Sequence, residues 1–390
     1  MKNRLKYDVV VVGGGVAGVA AALASARKGK KVVLIEKQCI LGGLATSGLI
    51  TIYLPICDGK GHQVSFGISE ELLRLSIKNG CQRKYPQPWL EGGSFEEKAE
   101  IRFETQFNPY YFALEMEELL KTNGVDILYD AYMFKVTRKD DIIESIHIDT
   151  VDDIKEIKAN SFVDATGDAK IFNLADIKTR NYEKGNILAN WYYYIRDGKL
   201  ELKKFGTVEK TEYIERTTGE VIVKDRFVGG DYDSLNHFIK AAHHESLTEF
   251  TNEIKNDSSF EVVAIPMMAN MRMTRCLDGE DKMILNDDDP YVQDSIGVVA
   301  DWRRRGYIYE MPFSALYDPK LKNVFAAGRC IKTDDEMWDV TRAIPACAVS
   351  GEAAGIAATI YAEEKEIEIT VLRDELKKAG QILNIRDIYE

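Results

Sequence analysis

The chain has 390 residues, 45% of them apolar and 29% charged, enough for a large buried core and two domains. A formal charge of −12, from 51 basic and 63 acidic side chains, argues against a nucleic-acid partner, which needs clustered Lys and Arg to neutralise phosphates. Six cysteines (39, 57, 81, 276, 330 and 347) show no CxxC or metal-ligand spacing with the five histidines, and read as reduced thiols of a cytoplasmic protein without a metal site.

Val9-Val10-Val11-Val12 predicts a strand, Val19 to Lys28 a helix, and Val32-Val33-Leu34-Ile35 a second strand that delivers Glu36. Gly13-Gly14-Gly15-Val16-Ala17-Gly18 joins the first two elements. Strand, tight turn, helix, strand and acid form the βαβ unit that binds a dinucleotide. Gly13 permits the sharp exit from the strand. Gly15, lacking a Cβ, lets backbone N–H groups approach a pyrophosphate, and Gly18 lets the helix pack closely on the sheet. The helix N-terminus offers partial positive charge to phosphates, and Glu36 can accept hydrogen bonds from ribose hydroxyls. The same segment superficially resembles a signal peptide, with Lys2, Arg4 and Lys6 before an apolar run and Ala24-Ser25-Ala26 after it. Val9 to Ala26 is also 18 uncharged residues, near the lower bound for a membrane helix. Asp8 and the Gly13–Gly15 triplet interrupt both patterns.

Leu41 to Leu49 (LGGLATSGL) is a loop of small residues placed to lie along a long cofactor. Gly67 to Asn79 predicts an amphipathic helix closed by Gly80. Cys81 to Gln106 lacks a period and reads as an irregular excursion. A helix begins at Asn108-Pro109 and stops at Asn123-Gly124. Strands are expected over Val125–Tyr129, Tyr132–Arg138, Ile142–Ile148 and Ile154–Lys158, a small antiparallel meander. A buried strand from Ser161 then runs into Asp164-Ala165-Thr166-Gly167-Asp168. From about 180 to 315 the texture changes. Trp191-Tyr192-Tyr193-Tyr194 fits a strand core, Glu220–Lys224 (entered through Gly219) another strand, and His243-His244 surface histidines. Arg303-Arg304-Arg305 reads as solvated surface or an anion pocket. Asn323 to Cys330 is a short strand breaking at Gly328. Ala343 to Tyr361 is an Ala/Gly-rich helix in which Gly351 and Gly355 permit close packing, followed by a charged helical tail.

These motifs together resemble the FAD-dependent oxidoreductases built on the glutathione-reductase-type FAD domain. The resemblance is carried by Gly13–Gly18, Leu41-Gly42-Gly43-Leu44-Ala45-Thr46, Asp164–Asp168, Ala327-Gly328-Arg329-Cys330, Thr341-Arg342-Ala343-Ile344-Pro345 and Gly351–Gly355, with Met271–Arg275 and Tyr309–Phe313 between them. It implies an α/β fold, with a Rossmann-like FAD-binding domain over 1–180 and 316–362, an inserted α+β substrate domain over 181–315, and a helical tail over 363–390. It further implies non-covalent FAD. Gly13, Gly15, Val16, Ala17 and Gly18 would hold the pyrophosphate, with Glu36 and Lys37 at the adenosine ribose and Met133 at adenine. Gly43 and Thr46 would lie on the flavin side. Ala165, Thr166 and Gly167 would close over the pyrophosphate, Gly328 and Arg329 would approach the ribityl chain, and the helix start at Ile344 would face the flavin pyrimidine. A helix N-terminus suits the negative charge of reduced flavin there.

Two departures qualify the resemblance. Lys332-Thr333-Asp334-Asp335-Glu336 follows AGRC where many relatives carry small and hydroxyl residues, and no cysteine pair stands at disulfide-reductase spacing. No second GxGxxG with an acid marks a separate NAD(P)H domain. The expected function is hydride transfer between flavin N5 and a small organic substrate of anionic character. Arg342 and Arg275 are candidate anchors and Tyr309 a candidate proton donor. The electron donor or acceptor, the substrate and the oligomeric state stay open. The alternative is an electron-transfer subunit serving a partner protein.

Overall fold

The structure, a computed structural model, describes residues 4–205, 212–214, 221–223 and 226–390. The chain divides into two compact units, one of Met1–Thr46, Thr51–Arg180 and Cys276–Glu390, the other of Ser47–Ile50 and Asn181–Arg275.

The first unit is built on a seven-stranded sheet. Strand β1 (Arg4–Val12) leads through the glycine turn into helix α1 (Val16–Arg27), and strand β2 (Val32–Ile35) returns parallel to β1. All four β2 residues are buried, as expected of a parallel strand covered on both faces. Asp126–Leu128 extends the sheet beyond β2. On the other side of β1 lies one continuous strand, Ile154–Asp164, where the sequence reading separated Ile154–Lys158 from a strand beginning at Ser161. Ala159 and Asn160 carry the strand across the small and polar gap between the two apolar stretches. Its first half pairs antiparallel with Ile142–Asp149, which pairs with Tyr132–Lys139, giving three strands of the expected meander, whereas the fourth, near Val125–Tyr129, pairs parallel with β2 instead. Its last residues pair parallel with Val324–Ala326.

Helix α1 is buried from Val16 to Ser25 because a second helix, Ile344–Glu364, lies against it. A Cβ on Gly351 would stand 2.2 Å from the Ala17 carbonyl oxygen, and one on Gly355 2.3 Å from that of Ala21. The two glycines therefore set the separation of the helices. Ile344–Glu364 is also long and apolar enough to cross a membrane, but its sides are buried inside the protein, the position of a central core helix.

The supposed irregular excursion is more ordered than its sequence suggested. Cys81–Arg83 and Ile52–Tyr53 flank Thr105–Phe107 in a three-stranded sheet, and Ser94 starts the helix Phe95–Glu100 with a capping box. Their shortness hides them from any periodicity. The helices expected near 67–79 and 108–123 run over Ile68–Ser76 and Pro109–Thr122, the latter capped by Asn108.

The second unit is smaller than the 181–315 segment expected. Residues 276–315 belong to the first unit, where Ser295–Ala300 pairs with Ile308–Pro312. The tail belongs there too, with Leu372 and Leu376 of helix Ile369–Lys378 in its main core. No break in composition marks residue 275. Within the second unit, Tyr192–Arg196 is the central strand between Lys199–Lys203 and Glu261–Ala264. Tyr192 and Tyr194 pack on Phe260, and Tyr192 meets Phe250 of helix Tyr232–Asn256, so the aromatic run is a strand core. His243 and His244 lie exposed on that helix. Val221–Val223 is a strand paired with Glu212–Ile214, whereas Gly219, Glu220 and Lys224 lie outside the described residues.

Candidate cofactor and active site

The glycine turn divides into positions the protein itself demands and one it does not. Gly13 has φ +103°, and a Cβ there would stand 2.4 Å from the Ala165 carbonyl oxygen. A Cβ on Gly18 would stand 1.8 Å from the Gly13 carbonyl oxygen, so α1 packs onto the strand end as expected. At Gly15 a Cβ would meet nothing within 4 Å. Gly15 is the N-cap of α1 and supplies no side-chain cap, so the helix start keeps first-turn N–H groups that no capping side chain takes up.

Three more segments close around this turn. The Gly43–Ala45 loop approaches it through the Gly42 N–H, which donates to the Gly14 carbonyl at 2.8 Å, and Gly43 lies against Gly15. The Ala165 N–H donates to the Val12 carbonyl at 2.9 Å, and the Ala327 N–H to the Asp164 carbonyl at 2.9 Å. A Cβ on Gly328 would stand 2.8 Å from the Ala17 Cβ, and the Arg329 guanidinium lies across Gly167. Beyond the turn opens a cleft lined by Gly13, Glu36, Lys37, Met133, Thr166 and Asp168, among others. Glu36 is buried. Its carboxylate accepts from Gly14 N–H at 2.6 Å and Gln38 N–H at 2.8 Å. Each oxygen has a second acceptor position, which leaves capacity for ribose hydroxyls. An uncrowded glycine, uncapped N–H groups and a cleft walled by an acid fit the phosphates and adenosine of a dinucleotide.

Thr46 also shapes its own loop. Its buried hydroxyl donates to the Leu41 carbonyl and holds the 41–46 loop in shape. At the far end of the cradle, Ile344 opens the long helix. Its N-cap residue Ala343 makes no side-chain cap bond.

Each of the three candidate catalytic side chains is already engaged by neighbours of its own unit. The Arg342 guanidinium pairs with Asp339 and lies over the Trp302 ring. Arg275 donates to Asn181 Oδ1 at 3.2 Å and the Gly230 carbonyl at 2.9 Å, bracing the second unit. The Tyr309 hydroxyl donates to Asp287 at 2.6 Å and accepts from Arg304. Burial, reinforced by Asp287, pushes its pKa above the ordinary phenol value. Arg303 pairs with Asp301 and Asp339, and Arg304 with Asp301 and Asp287, so two of the three consecutive arginines are held by acids within the fold. The acids after AGRC are structural as well. Asp334 caps helix Asp335–Thr341 by accepting from Met337 N–H, and Asp335 pairs with Arg180 at 2.7 Å.

Three buried groups escaped sequence reading. Asp164 accepts five hydrogen bonds at the end of the central strand, one of them from the Cys330 thiol. Cys347, at the start of the long helix beside Gly328, has its thiol pushed up to about 12 by burial. Glu352, deeper in that helix, accepts from Ile68 N–H at 2.9 Å and Gln381 Nε2 at 2.6 Å, and burial raises its pKa to about 7. A carboxylate in an otherwise apolar helix is the one signal that could have marked Glu352. Among the described residues no group of three or more His, Cys, Asp or Glu side chains could hold a metal ion.

Comparison with known proteins is consistent with this geometry. A 75-residue stretch is 35% identical to thioredoxin reductase of Ureaplasma parvum, covering 19% of this chain and 24% of that protein. A 178-residue stretch is 28% identical to soluble pyridine nucleotide transhydrogenase of Chromohalobacter salexigens, covering 45% and 33%. The chain thus spans a third or less of the length of these curated relatives. The solved p-nitrophenol 4-monooxygenase of Pseudomonas putida aligns over 96% of this chain and 84% of that one, at 12% identity and a TM-score of 0.48. The pattern of the family described as FAD dependent oxidoreductase matches residues 8–190 and 287–379, most of the first unit. The chain belongs to the FAD-dependent oxidoreductase family, and FAD is its cofactor.

Proposed function

We propose that the enzyme transfers a hydride between flavin N5 and a carbon of a small organic substrate, with substrates of anionic character preferred. The flavin supplies the hydride chemistry, and the chain supplies position, electrostatics and water exclusion. Val16 and Ala17 N–H groups would hold the pyrophosphate, Glu36 the ribose, and the Met133 strand the adenine. The observation that carries the reading is the uncapped start of the Ile344–Glu364 helix. Pro345 has no N–H to offer, so Ile344 and Ala346 present the first-turn donors, and these stabilise negative charge at the pyrimidine end of a reduced flavin. The anionic preference rests on Arg342, immediately before that helix, whose guanidinium would exchange Asp339 for a substrate carboxylate.

Anaerobic reduction tests the proposal. The FAD-loaded protein is mixed with acids, amines, alcohols, thiols and NAD(P)H while the oxidised-flavin absorbance near ~450 nm is followed. Bleaching by a carbon substrate, reversed by an acceptor, is the expected result. A flavin that no small molecule reduces, but that exchanges electrons with a redox protein, would move the assignment to an electron-transfer subunit.

A further inference from the structure

Behind the cofactor face lies a polar cluster centred on a buried acid. Asp164 ends the central strand and is fully buried. One of its oxygens accepts from the Thr166 N–H at 3.2 Å and the Thr166 hydroxyl at 2.7 Å. The other accepts from the N–H groups of Ile171 at 2.7 Å and Phe172 at 3.4 Å. The Cys330 thiol stands 3.8 Å from Asp164 and accepts from the Ala169 N–H at 3.3 Å. Cys330 belongs to the Ala327–Cys330 loop, and Thr166 and Asp168 line the cleft. One carboxylate and one thiol therefore tie two cofactor loops together from behind.

The tied loop is held in an unfavourable shape. Gly167 has φ +78° and Ala169, which carries a Cβ, has φ +46°. A left-handed alanine is disfavoured and persists only where its surroundings over-determine it. Ser or Asn could cap the short helix after the loop, each with one acceptor oxygen. A carboxylate accepts on two oxygens at once, one serving Thr166 and the other residues 171 and 172. A buried carboxylate is otherwise a costly group to place among apolar neighbours.

The geometry points to Asp164 as a positioning residue of the FAD cradle. Acting through Thr166, and with Cys330, it fixes the 165–169 loop and docks it on the 327–330 loop before the cofactor arrives. This rests on the FAD assignment above. Preorganisation of this kind appears in affinity, because a loop that must be ordered by the ligand weakens binding.

The test uses the full-length apoprotein titrated with FAD, followed by flavin fluorescence and the visible spectrum, with thermal melting of each apoprotein alongside. Asp164→Asn and Thr166→Val are expected to weaken FAD binding about tenfold or more, with apoprotein melting shifted by only a few degrees. Thr166→Ser, which keeps the hydroxyl, is expected to bind within about twofold of the unaltered protein, and Cys330→Ala to fall between. FAD affinity within about twofold for Thr166→Val as well, or Thr166→Ser as weak as Thr166→Val, overturns the proposal. If Asp164→Asn does not fold, the Thr166 pair decides alone. Binding of FAD by the unaltered protein in the same titration holds the cofactor assignment fixed.

Discussion

Gly15 and Gly18 are three residues apart in one motif and answer to different constraints. The protein has no atom within 4 Å of a Gly15 Cβ, whereas a Gly18 Cβ would collide with the Gly13 carbonyl at 1.8 Å. Gly15→Ala should lower apoprotein stability by no more than about 1 kcal/mol, the N-cap difference, yet weaken FAD binding about tenfold or more. Gly18→Ala should cost at least about 3 kcal/mol in urea unfolding, with or without FAD. Arg342 gives a second comparison at this scale. If it anchors substrate, Arg342→Ala raises KM about tenfold and leaves the flavin spectrum unchanged. Unchanged turnover would leave it as the partner of Asp339. The sequence could mark such side chains by type and position. It could not show that Asp339, Asn181 and Asp287 already occupy Arg342, Arg275 and Tyr309, because satisfaction of a polar group depends on packing that spacing does not encode.

Among the elements, the Ile344–Glu364 helix couples the cradle to pH. Glu352 binds the backbone at the start of helix Ile68–Ser76 and the Gln381 amide in the tail, far from water. Its ordinary carboxyl pKa is near ~4.3 in the unfolded chain and about 7 when folded, because burial penalises the charge. The folded state therefore holds the proton more tightly. The stabilisation is complete below the unfolded pKa and is lost as pH rises through about 7. The difference amounts to roughly 4 kcal/mol. Urea unfolding from pH 4.5 to 8 should show this decline, and Glu352→Gln should flatten it. Elements that follow a simple period were legible: β1, α1, β2 and the three strands from Tyr132 to Asp164 stand where apolar spacing placed them, but the pairing partner of Asp126–Leu128 did not follow from it. The short strands and turns of 81–107 were not, since three or four residues cannot establish a repeat.

For the molecule as a whole, the second unit enters and leaves at one place. Tyr182 N–H donates to the Thr274 carbonyl, and Asp278 N–H to the Lys178 carbonyl, so the two crossing strands are neighbours. Replacing residues 181–275 by a two-residue Asn-Gly turn should leave a fragment that still binds FAD but no longer turns over substrate. Loss of FAD binding in that fragment would show that the cradle needs the second unit. Its entry point near 180 was readable as a change of texture, but its end at 275 was not. The strands that follow, Ser295–Ala300 and Ile308–Pro312, have a pattern that would suit either unit.

The Ile154–Asp164 strand shares one edge between a hairpin neighbour and a strand about 160 residues later. On a ribosome adding ~5–20 residues per second, Phe162 to Asp164 waits roughly 10–30 s for Val324 to Ala326 to emerge. Through that interval the edge is open to wrong pairing, and the Gly328–Arg329 loop does not yet exist. The nascent chain is thus without a complete seat for its flavin until the Val324–Ala326 strand and the loop that follows it have been made.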